Sequence, residues 1–305
     1  MDTPFWTVDT LFYSEINIKK VDPIYIFNCF QQISWYDYNE ASGVPSLNSS
    51  KIEEIKIPLP PLPEQKAIAR VLSDTDTLIQ ALQNKINKKR DIKQGAMQQL
   101  LKPKEGWERK KLGEIGSFKN GINKSSDQFG YGFPFVNLLD VFGCNELGDS
   151  KGLGLLNSNH GDRQMYNLVE GDVLFIRSSV KPSGVGLTCL IHCDIQDTVY
   201  SGFMIRYRSN ESLETSFKKY CFSSSYFRKS LIASSTVSAN TNINQNALSD
   251  LVLYYPKSTI KQSEIATILS DMDSEIEQLQ EKLSKYQKIK QGLMQNLLTG
   301  KIRLV

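Results

Sequence analysis

Apolar residues recur along two stretches of this chain at alternating steps of four and three. In residues 265–298, "IATILSDMDSEIEQLQEKLSKYQKIKQGLMQNLL", the series is Ile265, Leu269, Met272, Ile276, Leu279, Leu283 and Tyr286, continued by Leu293 and Leu297. In residues 68–101, "IARVLSDTDTLIQALQNKINKKRDIKQGAMQQLL", Ile68, Leu72, Thr75, Ile79, Leu82 and Ile86 stand at matching places. Nineteen of the 34 aligned positions are identical, so this is an internal repeat. Steps of four and three are the a/d spacing of a coiled coil and predict a long helix from each copy. No proline interrupts either stretch, and Pro103 and Gly300 mark the stops. Two copies are too few for a solenoid. They predict two modules, each ending in the same connector, with the two helices paired as a rod. Leu72, Ile79, Leu82, Ile86, Leu269, Ile276, Leu279 and Leu283 are the candidate seam and partner-contact positions. Lysines and arginine on the outer faces, such as Lys85, Arg90, Lys282 and Lys288, read as a solvated surface.

The approach to each helix repeats as well. In "SLNSSKIEEIKIPLPPLPEQKAIA" and "NINQNALSDLVLYYPKSTIKQSEIA", Ile52, Ile55, Ile57 and Pro60 match Leu248, Leu251, Leu253 and Pro256. Each predicts a short strand that meets proline and turns into the rod. "PLPPLP" reads as a rigid turn rather than as a ligand for a proline-binding domain.

Between the repeats the helical period fades. "FPFVNLLDV", "GDVLFIRS", "GLTCLIHC", "SGFMIRYRS" and "DLVLYYP" are short, rich in β-branched and aromatic residues, and bounded by Gly, Asn, Asp and Ser. "SLETSFKKYCFSSSYFRKSLIA" is the expected helical interlude. Residues 104–259 thus predict an α+β module of strands and loops. Together with the rod, the expected division is 1–63, 64–103, 104–259 and 260–305.

Charge sharpens the picture locally rather than in total. The net charge of 305 residues is only +3, yet residues 215–249 and 173–193 contain no Asp or Glu. The second of these holds Arg177, Ser178, Ser179, Lys181 and Ser183, and the first holds Asn240, Thr241, Asn242 and Asn244. A further polar loop, "SFKNGINKSSDQFGYG", carries Lys119, Asn120, Asn123 and Lys124. Lys and Arg attract phosphate, while Arg, Asn, Ser and Thr bond base edges, so these thirteen residues are the candidate DNA-binding set. Ordinary polar loops, with asparagines capping turns, are the competing reading.

Other chemistry finds little support. There is no P-loop and no zinc-protease helix motif, and "KGLGLL" is a poor glycine pattern. "CLIHCD" lacks standard zinc spacing. Two histidines and no nucleophile–base set argue against a hydrolase, and no metal site is expected. Five scattered cysteines fit a reducing cytoplasm. No apolar run is long enough to span a membrane, and the start lacks the regions of a signal peptide.

"WERKKLGEIGSFKNG", "GDVLFIRSS", "IPLPPLPEQKAIARVLSDTD" and "IKQGLMQNLLTGKI" resemble motifs of the specificity (S) subunits of type I restriction–modification systems, in the same order and across the whole chain. The resemblance implies target recognition domains separated by two long antiparallel helices, each domain reading one half of a split double-stranded DNA site. It implies methyltransferase (M) and restriction (R) subunits as partners. S-adenosylmethionine is then expected on the M subunit, ATP and Mg2+ on the R subunit, and no cofactor and no catalytic residue on this chain. The motifs open a complete recognition domain at Trp107, whereas residues 7–60 resemble only the last third of one. A shortened first domain, rich in Phe5, Trp6, Phe12, Tyr13, Phe27 and Tyr36, is therefore expected. A coiled-coil scaffold with little DNA affinity of its own is the alternative function, and self-association through the rods is a further expectation.

Overall fold

The computed structural model describes residues 11–39, 46–211, 213–237 and 240–304; Phe5 and Trp6 lie outside the described residues. Its helices are α1 (Pro23–Gln32), α2 (Ser49–Glu53), α3 (Leu62–Leu100), α4 (Leu138–Val141), α5 (His160–Met165), α6 (Thr215–Cys221), α7 (Ser225–Ala233), α8 (Gln245–Asp250) and α9 (Thr259–Leu297). The two repeats form α3 and α9, each 39 residues and about 58 Å long at 1.5 Å per residue. No described helix is long and apolar enough to cross a membrane. The chain forms two compact units, Met1–Lys88 with Ile276–Val305, and Lys89–Glu275.

In the first unit α3 and α9 run antiparallel. Asp76 pairs with Lys290 at 2.6 Å, and Glu64 takes a two-pronged contact from Arg303. Leu72, Leu82, Ile86 and Ile276 are buried along this seam, and Ile79, Leu279 and Leu283 are half-buried. The half-buried positions reflect a two-helix seam, which leaves the flank of each a/d side chain open to solvent. Helix α1 starts at Asp22, whose carboxylate accepts from the Ile24 and Tyr25 amides, with Pro23 at the first helical position. Its Tyr25 and Cys29 pack on Ile68, Leu72, Leu297 and Leu298. Ile24, Phe27 and Tyr36 stay exposed.

The second unit is built on strands β1 (Trp107–Lys111), β2 (Gly116–Asn120), β3 (Phe129–Val136), β4 (Glu146–Leu147), β5 (Gly154–Leu156), β6 (Val173–Ile176), β7 (Ser178–Ser179), β8 (Thr188–Ile191), β9 (Val199–Tyr200), β10 (Met204–Ser209), β11 (Thr236–Val237), β12 (Thr241–Asn242) and β13 (Val252–Pro256). The central sheet has the order β2-β10-β6-β8-β4. Its middle strand "VLFI" is buried at every position, because side chains alternate between two covered faces. Val173 and Phe175 face Phe217, Phe222, Phe227 and Leu231 of α6, α7 and their link. Leu174 and Ile176 face Val136, Val141 and Tyr200 on the other side. Within this unit α3 and α9 again pair antiparallel, through Lys89–Glu275 at 2.7 Å and Lys93–Asp273, and the Tyr220 hydroxyl donates to Asp273. Leu269 is buried.

Both helices start from the same clasp. Gln65 and Gln262 hold matching places in the repeat and are fully buried. The Gln65 amide donates to the Pro60 and Lys20 carbonyls, and its oxygen accepts from the Asp22 amide. The Gln262 amide donates to the Pro256 carbonyl, and its oxygen accepts from the Glu214 amide. Asp22 and Glu214 are themselves the caps of α1 and α6. Each glutamine therefore ties the start of a long helix to a proline turn and to a capped short helix. A buried carboxamide has donors and an acceptor that must all be matched, and a glutamine in this position matches them.

The approach segments differ. Asn48 caps α2 and Asn244 caps α8, so the helical turn repeats where the sequence predicts strand. The strand that follows forms only in the second copy, where β13 pairs antiparallel with β1. Residues 54–57 pair with no strand among the described residues. The physical reason is that a strand is stabilised by its ladder partner, not by its own sequence.

Candidate nucleic-acid interface

The structure brings the three polar stretches to one place by backbone pairing. Strand β12 lies antiparallel between β11 and β7, matching Thr241 with Ser179 and Asn242 with Ser178. The Ile243 amide donates to the Arg177 carbonyl at 3.0 Å, and the Arg177 amide donates to the Phe203 carbonyl at 2.9 Å. The third stretch meets the same 201–203 loop, through an Ile122–Ser201 bridge and a bond from the Gly202 amide to the Ile122 carbonyl. Two glycines permit this approach. A Cβ on Gly121 would sit 2.2 Å from the Ser201 carbonyl oxygen, and one on Gly202 would sit 2.0 Å from the Asn123 side chain.

The candidates are not alike. Arg177 and Lys181 project into solvent, and neither takes part in an ion pair among the described residues. Asn123, Ser183 and Asn240 are also exposed; Ser178 and Ser179 are half-buried. The Asn242 amide donates to the Asn240 carbonyl, which stiffens the turn. Three candidates are engaged in the fold. Thr241 is buried. Asn244 accepts from the Ala247 amide as the cap of α8. Lys124 pairs with Asp162 at 2.8 Å and holds that carboxyl below its ordinary range. Lys119 is half-buried with its ammonium 5.4 Å from the Tyr166 ring centre, and Asn120 is half-buried in β2.

Part of the acid-free charge is also internal. Lys218 is buried and donates to the Gly171 carbonyl, and burial lowers its pKa. Lys219 pairs with Glu146 at 3.0 Å. Arg228 donates to the Ser183 carbonyl at 2.9 Å and so supports the 178–184 loop from beneath. Reading composition alone gave Arg228 no such role, and it left out Phe142, Val180 and Phe203, which stand exposed beside the candidate loops. "CLIHCD" resolves as strand alternation: Cys189 is in the core, His192 is exposed, and the Cys193 thiol donates to the Gly148 carbonyl. The arrangement presents exposed cations, amides and hydroxyls beside a short three-stranded ribbon, which suits contacts to phosphate and base edges.

Comparison with known proteins agrees with this architecture. A type I restriction–modification specificity subunit, MjaVIII of Methanocaldococcus jannaschii, is 25% identical over 305 residues, spanning 94% of this chain and 72% of its own. The putative MjaX specificity subunit of the same organism is 26% identical over 314 residues, spanning 94% and 70%. Among solved structures, an S subunit from M. genitalium shares the fold at a TM-score of 0.56 and 16% identity, over 92% of this chain and 73% of that one. A chain from a study of type I system assembly and conformational transition gives 0.57 and 16%, over 92% and 72%. The family model for the type I restriction modification DNA specificity domain matches residues 1–89 and 104–287, and the chain belongs to that family.

Proposed function

We propose that this chain is the subunit that reads duplex DNA for a type I restriction–modification complex and directs methylation and cleavage carried out by partner subunits. The observation that carries this reading is the meeting of the 177–183 and 240–244 stretches on one ribbon of the second unit, with exposed Arg177 and Lys181, and of 120–123 and Arg177 at the 201–203 loop. The paired α3 and α9 supply the surface on which M subunits assemble, and the R subunit joins that assembly. S-adenosylmethionine belongs to the M subunit, and ATP and Mg2+ to the R subunit; this chain contributes sequence choice. A net charge of +3, with Lys124, Lys218 and Lys219 held internally, favours weak binding by the chain alone and strong binding in the complex. Methylome sequencing of cells carrying and lacking the gene tests the reading. A modified sequence that disappears with the gene supports it. An identical methylome, together with no DNA binding by the chain and M subunit, refutes it.

A further inference from the structure

Between the 178–184 loop and α4 lies an open groove of about 590 Å³. Its walls are apolar: Phe142, Val180, Leu187 and Phe203. Val180 is 81%, Phe203 59% and Phe142 56% exposed, so the core does not account for them. Gly184 lines the groove, and a Cβ there would clash with the Ser179 hydroxyl at 2.2 Å. The rim is polar or cationic, with Ser178, Lys181 and Asn240, and no Asp or Glu lines the groove. A protein interface also has an apolar centre and a polar rim, so it is the absence of any acid and the presence of Lys181 on the rim that favour DNA. An apolar slot bordered by a cation and base-edge donors matches the edge of a pyrimidine in a DNA major groove. There the C5-methyl is the one apolar group among donors and acceptors, close to phosphate.

The geometry points to this groove as a reader of pyrimidine C5-methyl groups. Resting on the DNA-reading function proposed above, the inference adds that Phe203 and Val180 select thymine, or 5-methylcytosine, by contact with the methyl while Lys181 holds the neighbouring phosphate. Burying one methyl in such a slot corresponds to roughly 3- to 5-fold in affinity.

The test uses the full chain with its M subunit and three pools of the same genomic fragments. One is amplified with dTTP, one with dUTP, which lacks the methyl, and one with dUTP and 5-methyl-dCTP. Retention of a common motif from the dTTP pool, with at least 3-fold poorer retention from the dUTP pool, is the expected result. Phe203→Ala should abolish that difference, and Val180→Ser, at a more exposed position, should reduce it even if Phe203→Ala fails to fold. Recovery from the third pool of a motif with cytosine in place of thymine identifies 5-methylcytosine as an equivalent ligand; no such recovery assigns the slot to thymine. Equal retention of the dTTP and dUTP pools overturns methyl reading and leaves DNA reading standing. Retention of no pool overturns both. Equal retention combined with loss of M-subunit association in Phe203→Ala assigns the groove to a protein contact and also overturns the inference.

Discussion

Single residues divide here into those that face outward and those that hold the loops in place. Arg177 and Lys181 flank β7, yet their expected roles differ. Replacing Arg177 with Ala is expected to cost about 1–3 kcal/mol on the target site and to relax one base position, as for a bidentate guanine contact. Lys181→Ala is expected to weaken all sequences alike and to lower the slope of log affinity against log salt by about one. Binding isotherms of the chain with M subunit at several salt concentrations separate the two, and unchanged isotherms for both would remove this stretch from the interface. The buried glutamines are the opposite type. Gln262→Leu would strand the Pro256 carbonyl and the Glu214 amide, each costing about 1–3 kcal/mol. Urea denaturation should show the second unit destabilised by a few kcal/mol; a loss within error would mean that water replaces the clasp.

At the scale of elements, the rod was legible from the sequence and the interface was not. A 4–3 spacing states directly which side of a helix is buried, so the positions from Ile68 to Ile86 and from Ile265 to Leu297 could be named in advance. The meeting of Ser178–Ser179 with Thr241–Asn242 could not. It is made by two-residue strands of polar residues 63 positions apart, which carry no period. Nor does composition reveal that Lys124 finds Asp162, or that Lys218 lies under Gly171, since burial of a cation depends on tertiary neighbours. The strand expected ahead of α3 does not form for a related reason: alternation is present, but no strand among the described residues pairs with it. The seam itself yields a prediction. Leu82→Asp places a carboxylate among buried apolar side chains and is expected to cost several kcal/mol, whereas half-buried Leu279→Asp costs less. Size-exclusion with M subunit should show association falling in both, ahead of melting of the second unit followed by circular dichroism. Normal assembly by the double variant would contradict a role for this seam in partner binding.

For the molecule as a whole, the repeat sets two nearly matching segments in unlike surroundings. Residues 48–60 and 244–256 share their asparagine cap, their helical turn, their apolar spacing and their terminal proline, and each leads into a buried glutamine. They differ in that 252–256 lies beside β1, whereas 54–57 pairs with no strand among the described residues. One polypeptide thus carries its own reference for the worth of a strand ladder. Amide hydrogen exchange makes the comparison without a mutation. The amides of 252–255 that bond to β1 should exchange orders of magnitude more slowly than those of 56–57, under identical solvent and in a single sample. RT times the logarithm of the ratio of the two rates, corrected for intrinsic rates, is the difference in local opening free energy between the paired and unpaired copies. Slow exchange at 56–57 in the assembled complex, but not in the isolated chain, would reveal that a partner lays a strand along that open edge.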